Sequence, residues 1–353
     1  MLALVMAIAV MTGCSSGGNN SADETVDPTV KRKEYNYLTG LPFVEGADKT
    51  ARPIAVMINN LKIAHPQSGL TNADIVYEAV TEGGITRLMA LYSDIEKIDK
   101  VGPVRSARDR FVEMMLPLNA IYVHIGFSTS ATKMLNFYSY LDIDGIYLGS
   151  LAFEQNPELA ASKGPEHSWF TNKQLIRAGI EKNGITVKNN FYPAFDFVEY
   201  GSDSRLPEGG SASHIEFAYS SYANVGFSYD SSSGKYLKSA FGVPHMDADT
   251  NSQLAFDNVV VILADTSIQA ENGVLADIDL SEGKGYYFFG GNYEEISWSK
   301  GEPEQPLILK DKSGDVLKVN TGKSYVGILS IEQMDTMVIS EETQTTASVE
   351  RVQ

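Results

Sequence analysis

One cysteine among 353 residues, Cys14, excludes an internal disulfide. Histidine is scarce too, with 5 copies, and no two stand at metal-ligand spacing, so no structural metal site is expected. No apolar run reaches the ~18 residues that a spanning helix requires. Basic residues are outnumbered, 28 Lys and Arg against 45 Asp and Glu, for a net charge of -17. Without a basic stripe to offset that field, general nucleic-acid binding is excluded. Walker A, G-x-S-x-G and dinucleotide fingerprints are all missing, so nucleophilic serine chemistry has no local support and no cofactor is predicted. No repeat of fixed period is present.

What the chain does contain begins with the surroundings of Cys14. An apolar run from Leu2 to Thr12 and a small residue, Gly13, precede it. That length and ending match a signal-peptide core, which points to a signal peptide over 1–14 with a lipobox cysteine. Cys14 is then the lipidation site, carrying a palmitate-type anchor into the cell membrane. No Lys or Arg precedes the run, and Met11 stands where leucine is more usual. Residues 15–36 are polar and Gly/Ser/Asn-rich at their start, which suggests a disordered tether. About 21 residues of such chain span roughly 25 Å on average.

The body is expected to hold an α/β N-terminal domain over 37–200, a linker over 201–214, a mainly β C-terminal domain over 215–335 and a frayed tail over 336–353. In the first domain, Arg52–Asn60, Ile75–Val80, Ile85–Ser93 and Ala120–Gly126 carry the apolar and β-branched runs of strands. Helices are expected over Ser106–Asn119, with Ser106 as N-cap, over Phe127–Leu141 and over Asn172–Lys182, closed by Asn183-Gly184. The second domain alternates strands with turns. Hairpins are predicted around Asp230–Gly234, Gly290–Asn292 and Asp311–Asp315, with a core strand at Asn258–Ala264 and a closing one at Ser324–Leu329.

Arginine marks the candidate site. The chain has nine, and four of them, Arg87, Arg105, Arg108 and Arg110, lie between Gly83 and Arg110. A guanidinium group matches carboxylate or phosphate oxygens two at a time. Concentrating it in an acidic chain reverses the local field in favour of an anion. Asn59, Glu78, Arg87, Arg105, Arg108 and His167 are the candidate ligand-binding residues. Glu82, Asp109 and His124 are the weaker catalytic candidates. Each has a structural alternative: arginines paired with neighbouring acids, Asn59 bonding a loop, His124 satisfied within an apolar strand.

Several stretches together resemble the YerB-like bacterial lipoproteins, a family whose N- and C-terminal domains have no assigned function. They are Arg52–Asn60, Pro66–Leu70, Ala73–Glu78, Glu82–Arg87, Gly102–Arg108 and Tyr122-Val123-His124, and then Lys284–Phe288 and Gly322–Val326. Gly164-Pro165-Glu166-His167-Ser168 departs from the Pro-His-Asn form usual in that family. The resemblance implies a Gram-positive cell-envelope lipoprotein and supplies no reaction. The order strand, Arg87, strand, Arg105, Arg108-Asp109 is also similar to the LytR-CpsA-Psr phosphotransferases of the cell wall.

Two functions are therefore expected to compete. One is a membrane-anchored, extracytoplasmic module that binds an anionic envelope ligand, polymer precursor or membrane protein through its arginines. The other is a phosphotransferase acting on polyprenyl-pyrophosphate-linked precursors, with Mg²⁺ held near Asp109 or Glu82.

Overall fold

The computed structural model describes residues 35–188, 192–269 and 273–341. The signal segment, Cys14 and all but the last two residues of the tether lie outside the described residues, as does the chain beyond 341.

In chain order the first half contains β1 (Ile54–Asn59), β2 (Ile75–Val80), β3 (Thr86–Tyr92), α1 (Asp109–Met115), β4 (Ile121–His124), α2 (Thr129–Phe137), β5 (Ile143–Asp144), α3 (Gly145–Leu148), β6 (Glu154–Gln155), α4 (Pro157–Lys163), β7 (Trp169–Phe170) and α5 (Lys173–Asn183). The second half adds β8 (Gly210–Ser211), β9 (His214–Ser220), β10 (Ala223–Asp230), β11 (Lys235–Ala240), β12 (Val243–Pro244), β13 (Ala255–Phe256) and β14 (Asn258–Ala264). It closes with β15 (Thr266–Ile268), β16 (Ala276–Ile278), β17 (Glu282–Phe289), β18 (Asn292–Ser299), β19 (Ile308–Lys310), β20 (Ser324–Ser330) and β21 (Val338–Ser340). The expected classes hold: a mixed α/β N-terminal region and a C-terminal region made almost wholly of strands.

The two regions share one sheet. Its order is β19-β18-β17-β14-β20-β2-β3-β1-β4-β5, with β8 pairing β18 at one side. β20 runs parallel to both β14 and β2, so it stands between the two halves rather than closing the second alone. The central strands are buried along their whole length, including β1 (IAVMIN), β14 (NVVVILA) and β20 (SYVGILS). Unbroken apolar runs of this kind suit a sheet covered on both faces. Phe111, Met115 and Leu135 of α1 and α2 pack on one face. A second sheet, β12-β11-β10-β9-β21 with β13 on β11, covers the other through Phe217, Phe227 and Tyr236. Its strands alternate, β9 reading buried at every second residue, because the outer face meets water.

Three expectations need correction. The helix predicted from Ser106 begins only at Asp109, and Arg108 occupies the N-cap position without a side-chain cap. The cause is upstream: the Arg105 and Ala107 N–H groups donate to the Met57 and Gly126 carbonyls, which holds Arg105–Ala107 extended between the ends of β1 and β4. The linker is not free of pairing, since Gly210-Ser211 joins β18. Nor is the tail frayed throughout, since β21 pairs with β9 as an edge strand. The other two long helices follow their sequence signals. Ser128 caps α2 at Ala131 N, Asn172 caps α5 at Leu175 N, and Gly184 ends α5 at φ 62°.

Candidate functional site

Strands β20, β2, β1, β4 and β5 run parallel and end at a common edge, where antiparallel β3 begins. Ligands of open α/β sheets are met at that edge. Asn59 ends β1 there, and Arg87 lies opposite it on β3. Between β2 and β3 the chain turns through Glu82-Gly83-Gly84. The positive φ of both glycines, 58° and 80°, makes the tight reversal possible.

That turn holds Glu82 under two guanidinium groups. Its Oε1 accepts from Nη2 of Arg87 and, at 2.8 Å, from Nη2 of Arg108; its Oε2 accepts from Nε of Arg108 at 3.0 Å. The remaining donors reach carbonyls, Arg87 to Ser106 at 2.6 Å and Arg108 to Ala107 at 2.7 Å. The Arg87 side chain is only 3% exposed. Burial, with Arg108 and Arg105 adding to it against Glu82, lowers the Arg87 pKa to about 9. Burial pushes the Glu82 carboxyl up, but Arg87 and Arg108 together outweigh it and hold the group below its usual range.

Arg105 belongs to the same extended segment and feels the charges of Glu82 and Arg108. Among the described residues it forms no ion pair; its Nη1 reaches the Glu166 carbonyl at 3.4 Å. The loop that departs from the family pattern supplies this contact, and it also places His167 beside Asn59. The Asn59 amide donates to Nδ1 of His167 at 2.7 Å, so that nitrogen is the unprotonated one. Burial keeps the His167 pKa below its ordinary value despite Glu166. The edge thus holds Arg87 and Arg108 on Glu82, with Arg105 and the Asn59–His167 pair along the same strand ends.

Beside them stand two aromatic residues that sequence reasoning passed over. Ala107 bridges Phe127, whose ring stacks on Tyr147 with centroids 6.3 Å apart at 20°. Phe127 is 37% and Tyr147 76% exposed. No periodicity distinguishes them; only the approach of α3 to the end of β4 brings them together.

Other candidates fall elsewhere. Glu78 is fully buried and accepts from Asn60 at 2.9 Å, Thr86 at 2.9 Å and Tyr325 at 2.8 Å, with Lys238 at 3.3 Å. Lys238 reaches His245 at 3.2 Å, His245 reaches Gln67 at 2.8 Å, and Gln67 and His65 both meet Asn60. Glu78 therefore belongs to an internal polar network between the two sheets, not to an open site. The one available signal was Lys238, which occupies an inward phase of alternating β11. His124 is likewise enclosed, its ring nitrogens facing the Gly126 carbonyl at 2.9 Å and Asp142 at 3.0 Å. Asp109 accepts from Gln269 at 2.9 Å. Arg110 pairs with Glu113 and Asp277, outside the arginine group. Two cavities of ≈ 510 and ≈ 540 Å³ lie around Arg110 and Asp277, away from Arg87 and Arg105. Among the described residues no group of three or more His, Cys, Asp or Glu is placed to hold a metal ion.

The fold coincides with a recognised two-part architecture. Residues 38–186 match the N-terminal domain, and residues 215–326 the C-terminal domain, of a protein family of unknown function, DUF3048. The chain belongs to this family. It is similar to "Putative lipoprotein YerB" of Bacillus subtilis (strain 168), with 32% identity over 321 residues, covering 89% of this chain and 91% of that one. The crystal structure of the YerB protein from Bacillus subtilis superposes with a TM-score of 0.74 at 30% identity, over 87% of this chain and all of that one.

Proposed function

We propose that this protein is a lipoprotein anchored through Cys14 on the extracytoplasmic face of the cell membrane, and that it binds an anionic envelope ligand at the strand-end edge. One observation carries the binding half: Arg87, Arg105 and Arg108 converge there, and a single carboxylate, Glu82, is all that two of them share. Buried or half-buried guanidinium groups interact with an anion in a medium less polar than water, which strengthens the attraction. The lipobox-like run before Cys14 and the name of the Bacillus relative support the anchoring half.

The transferase alternative has less support. Its metal would sit on Glu82 or Asp109, and those carboxylates already serve the two guanidinium groups and Gln269. A thermal-shift series separates the two. The binding reading expects stabilisation by inorganic pyrophosphate without Mg²⁺, lost in the R105A/R108A double variant. Stabilisation by polyprenyl phosphate only when Mg²⁺ is present would favour the enzyme. Retained stabilisation in the double variant would remove the site from both.

A further inference from the structure

The aromatic pair beside the arginines has no role in packing the core: Tyr147 and its neighbour Ile146 are 76% and 63% exposed, on the short helix that follows β5. Exposed apolar side chains gathered in one place, here Phe127, Ile146 and Tyr147, mark a surface that a partner can use. Their position is tied to the arginine segment. Ser128 N donates to the Ala107 carbonyl and Ile125 N to the Arg105 carbonyl, so the two stretches run side by side. Gly126 lies between them at φ 77°. A Cβ there would come within 3.2 Å of Ser106 Oγ and 3.8 Å of Ile146 Cγ1, so the side chains of the arginine segment and of α3 both lie against this glycine.

Resting on the anion-binding reading above, we infer that the ligand is an anionic glycan, with one sugar ring stacked on Tyr147 and Phe127 and its charged substituent on Arg105 and Arg108. The face of a pyranose presents C–H groups carrying partial positive charge, which fit the negative face of an aromatic ring. A bare anion has nothing to place there. The alternative source, a lipid-borne pyrophosphate held at the bilayer, fits less well. The described chain starts at Tyr35, and Asn36 donates to Ser93, just past the far end of β3 from Arg87. One strand length, about 20 Å, therefore separates the tether's exit from the site.

Direct binding measurements on the whole soluble body test this. Four probes are needed: a galacturonate oligomer carrying carboxylates, a glycerol-phosphate oligomer bearing glucosyl groups, neutral maltoheptaose, and inorganic pyrophosphate. Wild type is expected to bind at least one anionic glycan more tightly than pyrophosphate and to ignore maltoheptaose. The two glycans tell whether carboxylate or phosphate is the charge recognised. Y147A, and separately F127A, is expected to weaken that glycan by about tenfold, the scale of one lost stacking contact. Pyrophosphate binding should be unchanged, which also shows that the variants are folded. Equal affinity for pyrophosphate and both glycans in wild type would overturn the inference. So would unaltered glycan binding in both aromatic variants; the anion-binding reading would survive either result. No binding of any anion would instead end that reading, and this inference with it.

Discussion

Replacing Glu82 by glutamine gives the sharpest test of the arginine edge. Glu82 is the internal counter-ion of two cations, and it is 25% exposed, against 3% for Arg87 and 13% for Arg108. The amide keeps the shape but loses the charge, leaving one buried and one partly buried guanidinium group without their shared counter-ion. Breaking a buried pair from one side costs about 3–5 kcal/mol, and the partial exposure here argues for the lower figure, about 3 kcal/mol. With an unfolding entropy of ~2 cal/mol/K per residue over roughly 300 residues, that is a fall of about 5 °C in Tm. The same change raises the positive charge of the edge by one unit. An added anion no longer competes with a resident carboxylate, so pyrophosphate should stabilise E82Q more than wild type. At a hundredfold excess over Kd the gain is about 2.7 kcal/mol, enough to restore most of the loss. Differential scanning fluorimetry across a pyrophosphate series, with NaCl matched for ionic strength, reads both effects. A variant that is less stable yet gains no more from pyrophosphate than wild type would refute the idea that Glu82 stands where the ligand's charge goes.

Other expectations follow from the same contacts. Burial, then Lys238 and Lys163, lowers the His65 pKa to about 3, and burial lowers that of His245 too. Both are neutral when folded and titrate near 6.5 when unfolded, so the unfolded chain binds more protons between those values. Stability should thus be full above about pH 6.5 and fall as pH drops towards 3, by up to ~1.4 kcal/mol per pH unit for each histidine. H65Q should flatten that slope in urea titrations by about one proton's worth; an unchanged slope would contradict the assignment. K238M leaves the Glu78 carboxylate buried without its cation and should cost about 3–5 kcal/mol. Adding E78Q should recover a large part, which a double-mutant cycle measures; simple additivity would deny the coupling. C14A should move the protein from the membrane to the aqueous fraction, and continued membrane retention would remove the anchoring claim.

Much of the architecture could be read from residue patterns, because buried strands announce themselves. Ile54–Asn59, Ile75–Val80, Thr86–Tyr92 and Asn258–Ala264 lie within two residues of the stretches that composition suggests. The start of α1 was misplaced because Ser106 is a good cap in isolation, while the carbonyls of Met57 and Gly126, distant in sequence, capture the backbone first. The convergence of Arg87 and Arg108 was legible as clustering along the chain. That Arg110 turns aside to Asp277 was not, since its partner lies 167 residues away. The Glu78–Lys238 network and the Phe127–Tyr147 stack likewise join residues through tertiary approach alone, and no local period encodes them.

The place of β20 also bears on how the chain matures. Its pairing of Ile75–Ala79 with Ser324–Ile328 spans nearly the whole polypeptide. Non-local contacts of this kind slow folding, since the loop must be closed before the pairing repays it. The first half cannot complete its central sheet until the last strands have emerged from the ribosome. A polypeptide wired this way stays pliable during synthesis and commits to its shape only once almost all of it has been made.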